Sequence, residues 1–443
     1  MSNSLLKAFN VKIENKYNEA VDYDIFKDKE LLEKFRKKIL EDLSNRGMLL
    51  KNVSNDVLNE EIDEIINGYD LSSLERNYLY NLIDNEVNGY GPLTELLKDK
   101  NVTEIMVNSP SDIYIETDGN IVKDNSVSFI DNAHIVRTIE KLLAASGRMI
   151  DINNPMIDAR GEDGSRINAI IPPLSKNPII TIRKFRPNLV DMETLVGNGS
   201  LTPYMARFLQ AAVQARLNIL ISGGAGTGKT TLLNILSNYI DTNERIITIE
   251  DALELNLKQS NVVSLETKAA NYEGVGEITI RDLVRNSLRM RPDRIIIGEV
   301  RGNEAIDLLQ AMNTGHDGSI TTLHANSPLD ALRRLETMVL MDNKDVSLTA
   351  VREYMSNAID LVVHMSRMRD GKRKIVAISE IVGTNNGEIV MKDIFDFKVQ
   401  NVLENGTVEG EYTLYKYVPK CLEKMQNAGI RDLDEMFKFK NGK

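Results

Sequence analysis

The stretch ISGGAGTGKTTLL, Ile221 to Leu233, restricts the fold of this 443-residue chain more than any other. Gly223, Gly228, Lys229 and Thr230 satisfy the spacing G-x-x-x-x-G-K-[ST], with the apolar run LNILIS before them and TTLLNILSNYI after. Such a loop works at a strand-to-helix junction. Its glycines let successive backbone N–H groups converge on phosphate oxygens where a side chain would intrude. The helix that starts at Lys229 aims its N-terminus at the same anion. Gly223, Gly224, Ala225, Gly226, Thr227, Gly228, Lys229, Thr230 and Thr231 are therefore expected to bind the polyphosphate of ATP. Lys229 neutralises its β- and γ-phosphates, and the Thr230 hydroxyl completes the shell of Mg²⁺.

A nucleotide site also needs carboxylates, and two other apolar runs end in them. RIITIED delivers Glu250 and Asp251, and RPDRIIIGEVRG delivers Glu299. Together with LNILIS, VVSLE and SITTLH these runs lack polar alternation, the pattern of strands buried on both faces. Helical stretches separate them, so a mostly parallel sheet is expected from Tyr204 onward. In such a sheet the strand C-termini share one edge, which brings the three acids beside the phosphate loop. Glu299 and Glu250 are candidates for polarising the attacking water. Glu299 (through water) and Asp251 are candidates for Mg²⁺ beside Thr230.

TGHDGSITTLHANSP, Thr314 to Pro328, holds two of the chain's four histidines. His316 and His324 are not at the i, i+4 spacing of a helical metal pair and make a poor zinc site. SITTLH reads as a strand ending at His324, on the edge shared with the phosphate loop. A neutral imidazole there donates to a phosphate oxygen or to Glu299. His316 sits in the preceding Gly-rich turn, where a structural role competes, and His134 and His364 are read as structural.

Bulk properties set limits on partners. Lys plus Arg number 54 against 65 for Asp plus Glu, a net charge of −11 that argues against a uniformly basic nucleic-acid surface. No tryptophan and 5% aromatics supply no stacking platform for bases. The single cysteine, Cys421, forms neither an intramolecular disulfide nor a Cys-based zinc site, which fits a reducing interior. No apolar run approaches the roughly 18 residues that span a bilayer, and MSNSLLKAFNVKIENK lacks the apolar core of a secretory signal. A cytoplasmic protein is expected, meeting the membrane only through partners.

Along the chain, residues 1–26 read as a flexible lead-in. Residues 27–95 carry three runs at three- and four-residue spacing: Leu31, Leu32, Phe35, Ile39, Leu40 and Leu43; Leu58, Ile62, Ile65 and Ile66; Leu74, Tyr78, Leu82 and Ile83. They predict a small helical bundle. After the turn signal NGYGPL, residues 96–186 alternate short β-branched runs with turn residues and include one helix, a smaller α/β domain. Residues 187–200 read as a linker, and 201–443 as the domain that holds the phosphate loop, with a C-terminal extension. LVVHMSRMRDGKRKIVAISEIVG within it predicts a hairpin with Asp-Gly at its tip.

These motifs together resemble the traffic ATPases of the type II/IV secretion superfamily, and within it the CpaF-like branch that powers tight-adherence (Flp) pili. NEVNGYGPLTELLKDKNVTEIMVNSPSDIYIETDGNI, GSRINAIIPP and PIITIRKF resemble the family's amino-terminal domain. The phosphate loop, IITIEDALEL, LRMRPDRIIIGEVRGNEA and AMNTGHDGSITTLHANSPLDALRRLETM resemble its ATPase domain, in the same order. The resemblance implies a RecA-like P-loop ATPase domain preceded by a smaller, PAS-like α/β domain and, here, the helical bundle. It also implies a homo-hexameric ring working on inner-membrane platform proteins. Glu299 falls in its Walker B segment, Glu250 and Asp251 in its Asp box, and the stretch around His324 in its His box. Arg166 and Arg183 fall at positions of the amino-terminal domain that the family uses to reach the nucleotide, with Arg148 and Arg186 as weaker candidates. Several relatives carry a four-cysteine zinc module that a chain with one cysteine lacks, which supports the CpaF-like branch.

The leading expectation is an ATP-hydrolysing motor for pilus assembly or protein secretion. Its rivals are a RecA-like nucleic-acid translocase and a nucleotide-gated scaffold without turnover. The −11 charge argues against the first, and the strand-end carboxylates argue against the second.

Overall fold

The computed structural model describes residues 29–438, apart from 46–53, 68, 118, 145–147, 185–189, 269, 271–274, 343–345, 404–405 and 434. The lead-in over 1–26 and Arg186 thus lie outside the described residues. Two compact units result, Met1–Arg186 and Pro187–Lys443.

In the first unit, helices α1 (Lys29–Asn45), α2 (Asn55–Ile66) and α3 (Ser73–Val87) meet on Phe35, Ile39, Leu43, Leu58, Ile62, Leu79 and Ile83. A capping box between Ser72 and Glu75 starts α3. The buried stripe of α3 differs from the expected one. It runs through Leu79, Ile83, Glu86 and Val87, and Leu74 is 64% exposed. The charged member conceals the periodicity, because Glu86 is buried only by virtue of its partners. Arg36 donates to Glu86 Oε1 through Nε at 3.1 Å, and His134 Nε2 lies 2.7 Å from Oε2. His134 Nδ1 accepts from Ile130 N, so its ring serves structure, as its isolation in the sequence suggests.

A short helix α4 (Thr94–Lys98) leads into a six-stranded sheet of β1 (Val102–Ser109), β2 (Asp112–Thr117) and β3 (Asn120–Asp124), then, after helix α5 (Asn132–Ala144), β4 (Met156–Arg160), β5 (Arg166–Ile170) and β6 (Ile179–Arg183). The order is β3-β2-β1-β6-β5-β4, with every neighbour antiparallel. Strand period two turns Ile105, Val107, Ile167, Ala169, Ile180 and Ile182 onto Ile135, Ile139 and Leu142 of α5. The same period sends Arg160, Arg166, Arg183 and Glu104 to the other face. Register then sets them in one row, Arg160 opposite Arg166, Arg166 opposite Arg183, and Arg183 opposite Glu104.

The second unit begins within the segment expected to be a linker. Asp191 caps α6 (Met192–Gly197) by accepting from Thr194 N, and Met192 is buried in the core, so the described part of this stretch, from residue 190 on, is packed structure. Then follow α7 (Pro203–Gln214), β7 (Ile219–Gly223), α8 (Lys229–Ser237), β8 (Ile246–Glu250), β9 (Val262–Glu266) and α9 (Ile280–Ser287). Next come β10 (Arg294–Ile297), α10 (Glu304–Asn313), β11 (Ile320–His324), α11 (Pro328–Asp342), α12 (Leu348–Ala358) and β12 (Leu361–Arg367). β13 (Arg373–Asn385), β14 (Glu388–Val402), β15 (Val408–Leu414) and α13 (Cys421–Asn427) complete it.

The sheet order is β15-β14-β13-β12-β7-β11-β10-β8-β9, parallel from β12 to β9 and antiparallel beyond β12. Alternate residues of each central strand enter different cores. Ile219, Ile221, Ile246, Ile296 and Val363 pack with α7, α8 and α13, while Leu220, Ile247, Ile297 and Val362 pack with α9 to α12. Helices on both faces explain the unbroken apolar runs. The tail is part of this core, since Cys421, Met425 and Phe437 are buried against it and Glu380 accepts from Lys420 N and Cys421 N.

Candidate active site

The phosphate loop lies in the middle of the sheet, where β7 is flanked by β11 and β12. β7 is buried at all five positions, and its Ser222 hydroxyl is held to His364 Nδ1 at 2.8 Å, so the strand has little freedom. Gly223 tolerates no side chain, because a Cβ there would come 2.5 Å from the Met365 carbonyl of β12. Gly228, the N-cap of α8, has φ of +94°, a conformation that costs a side-chain-bearing residue free energy. Thr227 Oγ1 closes the loop on Gly224 O at 3.0 Å.

Lys229 is 6% exposed, and its Nζ donates to Gly224 O at 2.8 Å and lies 3.4 Å from His324 Nδ1. An ammonium only donates, so Nδ1 is the acceptor and the proton of the neutral ring sits on Nε2. That nitrogen lies 3.2 Å from Glu299 Oε1. Burial pushes the His324 pKa down, with Glu299 opposing and Lys229, Arg301 and Arg334 reinforcing, which favours the neutral ring. Burial likewise lowers the Lys229 pKa, against the pull of Glu299. β11 sets this geometry, for His324 stands opposite Gly223 in the parallel register.

Glu299 follows β10 after one residue, Gly298. Its segment is tied to β11 by Thr322 Oγ1 donating to Gly298 O at 2.7 Å and by Val300 N donating to Thr322 O at 2.9 Å. Burial raises the Glu299 carboxyl, but Arg301, His324 and Lys229 together outweigh it and hold the group below the ordinary value. Arg301 joins the acids. Its Nη2 donates to Glu299 Oε2 at 2.9 Å and its Nη1 lies 3.1 Å from Asp251 Oδ2. Lys229, His324, Glu299, Arg301 and Asp251 thus form one continuous chain of polar contacts along the C-terminal edge of the sheet. Sequence reasoning missed Arg301, although its place two residues beyond Glu299 on that edge was a usable signal.

Glu250 ends β8 on the same edge but is 2% exposed, and its Oε2 accepts from Glu254 N at 2.7 Å and Leu255 N at 3.0 Å. It organises the backbone that carries Asp251. His316 lies elsewhere. β11 rises by about 16 Å along its five residues, so the turn with His316 is at the opposite edge, where Asn218 Oδ1 accepts from Gly318 N and Ser319 N. Arg166 and Arg183 belong to the first unit. The Arg183 side chain is 65% exposed, with Glu104 3.7 Å away. Arg148, also in that unit, is exposed and donates to Asp158 O.

The donors available to a cation are the Thr230 hydroxyl and the carboxylates of Glu299 and Asp251. An all-oxygen set with few carboxylates fits Mg²⁺, which keeps waters and takes substrate phosphates as ligands. Among the described residues no group of three or more His, Cys, Asp or Glu forms a ready-made metal cage.

Residues 86–400 match the family model described as "Type II/IV secretion system protein". A "putative conjugal transfer protein" of Mycobacterium tuberculosis is 36% identical over 305 residues, covering 67% of this chain and 86% of that protein. The "conjugal transfer protein TrbB" of Rhizobium radiobacter is 35% identical over 283 residues, covering 62% and 83%. The "type IV secretion system protein VirB11" of Bartonella henselae is 32% identical over 327 residues, covering 65% and 90%.

Proposed function

The chain belongs to the type II/IV secretion system protein family and is an ATPase of it, and from that premise we propose a ring-forming motor that drives a pilus-assembly or secretion machine through inner-membrane platform proteins. A secretion or pilus motor is favoured over a nucleic-acid translocase by the same family match. The observation that carries the mechanism is the polar chain Lys229–His324–Glu299–Arg301–Asp251 at the mouth of the phosphate loop.

ATP is held by the backbone amides of Gly224 to Thr231 and by Lys229. Mg²⁺ carried with the nucleotide would be held by Thr230, Glu299 and Asp251 and would supply neutralising charge at the phosphates. Glu299, kept ionised by its basic neighbours, accepts the proton of the water that attacks the γ-phosphorus, and the β–γ bridging oxygen departs with ADP. His324 bridges Lys229, which faces the terminal phosphates, and Glu299, which faces the water. It thereby reports the phosphate state to β11 and α11, where Arg334 Nη1 donates to His324 O at 3.1 Å. We also assign Arg166 and Arg183, paired in the β5–β6 register, to supply further positive charge to the nucleotide.

The one cysteine, buried and free, supports a cytoplasmic protein that reaches the membrane through partners. No helix among the described residues is long and apolar enough to cross a membrane. The single cysteine also favours the CpaF-like branch. The test is light scattering of Glu299→Gln protein with and without Mg-ATP. A mass six times that of the chain with nucleotide supports the ring. A monomer at every nucleotide concentration, or hydrolysis by the wild type that rises steeply on adding DNA, rejects the proposal.

A further inference from the structure

The hairpin β12–β13 stands beside the phosphate loop and carries a basic tip. β12 is parallel to β7 with Met365 opposite Gly223, and it runs two residues further, to Arg367. The tip, Met368 to Lys372, therefore extends past the end of β7 at the level of the phosphate loop, and Arg373 returns opposite Arg367. The contact with the loop is close. A Cβ built on Gly228 would meet Arg373 Cδ at 3.5 Å and Met365 Cε at 3.6 Å. The terminal guanidinium nitrogens are three bonds from Cδ, hence within about 4 Å of it. The Arg373 charge is thus confined to the neighbourhood of the α8 N-terminus.

Arg373 is exposed, and the described residues include no hydrogen-bond or carboxylate partner for it, as is also true of Arg367 and Arg369 in the same hairpin; its contact with Gly228 sets it apart. Arg301, on the same sheet edge, is by contrast neutralised by Glu299 and Asp251. The lysines beside Arg373 in the hairpin are committed. Lys374 donates to Gly199 O at 2.7 Å and lies over the Phe397 ring, and Lys372 is 3.9 Å from Asp370. A planar guanidinium with no protein acceptor, set against an anion-binding loop, has the geometry of a phosphate ligand.

We infer that Arg373 binds the polyphosphate of the nucleotide held by the phosphate loop of its own subunit, as a second cationic side chain beside Lys229. The inference rests on the proposed nucleotide site and adds a residue that the loop motif does not contain. It also gives the hairpin a function, since a ligand gripped by both Gly228 and Arg373 clamps β12–β13 to α8.

The test is fluorescence titration of the full-length protein with mant-ATP and mant-ADP, in wild type, Arg373→Ala, Arg373→Glu and Arg369→Ala. The expected result is a loss of affinity of about tenfold or more in Arg373→Ala, a larger loss in Arg373→Glu, and wild-type affinity in Arg369→Ala. Unchanged melting in Arg373→Ala and Arg373→Glu accompanies it, because the side chain holds no folding contact. Affinity within twofold of wild type in both Arg373 variants overturns the inference. So does wild-type affinity with depressed turnover, which would move the contact to a neighbouring subunit. An equal loss in Arg369→Ala would reduce the effect to general hairpin charge and overturn it as well. Failure of wild type itself to bind mant-ATP would instead sink the nucleotide-site reading.

Discussion

Replacing Glu299 by Gln separates binding from chemistry, because it preserves the shape of the side chain and removes its charge and basicity. In the structure that carboxylate makes two contacts, to Arg301 Nη2 at 2.9 Å and to His324 Nε2 at 3.2 Å. The Arg301 and His324 side chains are 54% and 35% exposed, so solvent screens both pairs and each contributes at most about 1 kcal/mol to folding. The variant should therefore melt within a few degrees of wild type. It leaves Lys229 and Arg301 with one anion fewer beside them, so ATP affinity is expected to be equal or higher. Loss of the general base costs about 10²–10⁴ in rate, or roughly 3–5 kcal/mol of barrier. Phosphate release at saturating Mg-ATP measures the rate, and mant-ATP titration the affinity. A second readout uses nucleotide- and metal-free protein. Burial lowers the His324 pKa and Glu299 opposes it, so the neutral variant should shift the His324 NMR titration to lower pH. Turnover within threefold of wild type would refute the role of Glu299, and an unmoved His324 titration would refute the contact.

Other perturbations read other parts of the molecule. Glu250→Ala removes the acceptor of two amides and should cost about 1–3 kcal/mol of stability, whereas Glu250→Gln keeps an acceptor and should retain most stability and turnover; a turnover loss in Glu250→Gln as deep as in Glu299→Gln would make Glu250 a participant in the chemistry. Arg183→Ala removes a 65% exposed side chain and should leave melting and ATP affinity intact while lowering hydrolysis by about 10³–10⁵; wild-type turnover would dismiss the assignment. Glu86→Ala removes the buried carboxylate that Arg36 and His134 contact and should cost about 3–5 kcal/mol, measured by denaturant melting at pH 7. Burial raises the Glu86 carboxyl, but His134 and Arg36 outweigh it and the folded pKa is depressed. Its stabilisation is therefore complete above the unfolded pKa and disappears as pH falls through the folded one, so wild type and Glu86→Ala should converge in stability in acid. A constant gap from neutral to acidic pH would contradict this.

The phosphate loop, the strands around it and the strand-end acids were legible because each depends on local pattern alone. Glycine spacing defines the loop, unbroken apolar runs mark strands covered on both faces, and parallel order sends their C-termini to one edge. That logic placed Glu299 and His324 near Lys229, and Asp251 on the same sheet edge, without coordinates. It did not separate Glu250 from Asp251, because which of two adjacent residues turns inward depends on the pleat and on what the following loop needs. Nor did it find Arg301 or Arg373. Asp251, which ties Arg301 to the neighbouring strand, and Gly228, beside which the Arg373 side chain lies, are both distant in sequence from the arginine they adjoin. Helix α3 was misphased for the same reason: Glu86 joins the buried stripe only because Arg36 and His134, 50 and 48 residues away, neutralise it. Short-range periodicity thus determined the elements and the phosphate loop, whereas the pairing of charges belongs to tertiary structure, since burying an ion is tolerable only where the fold delivers its counter-ion.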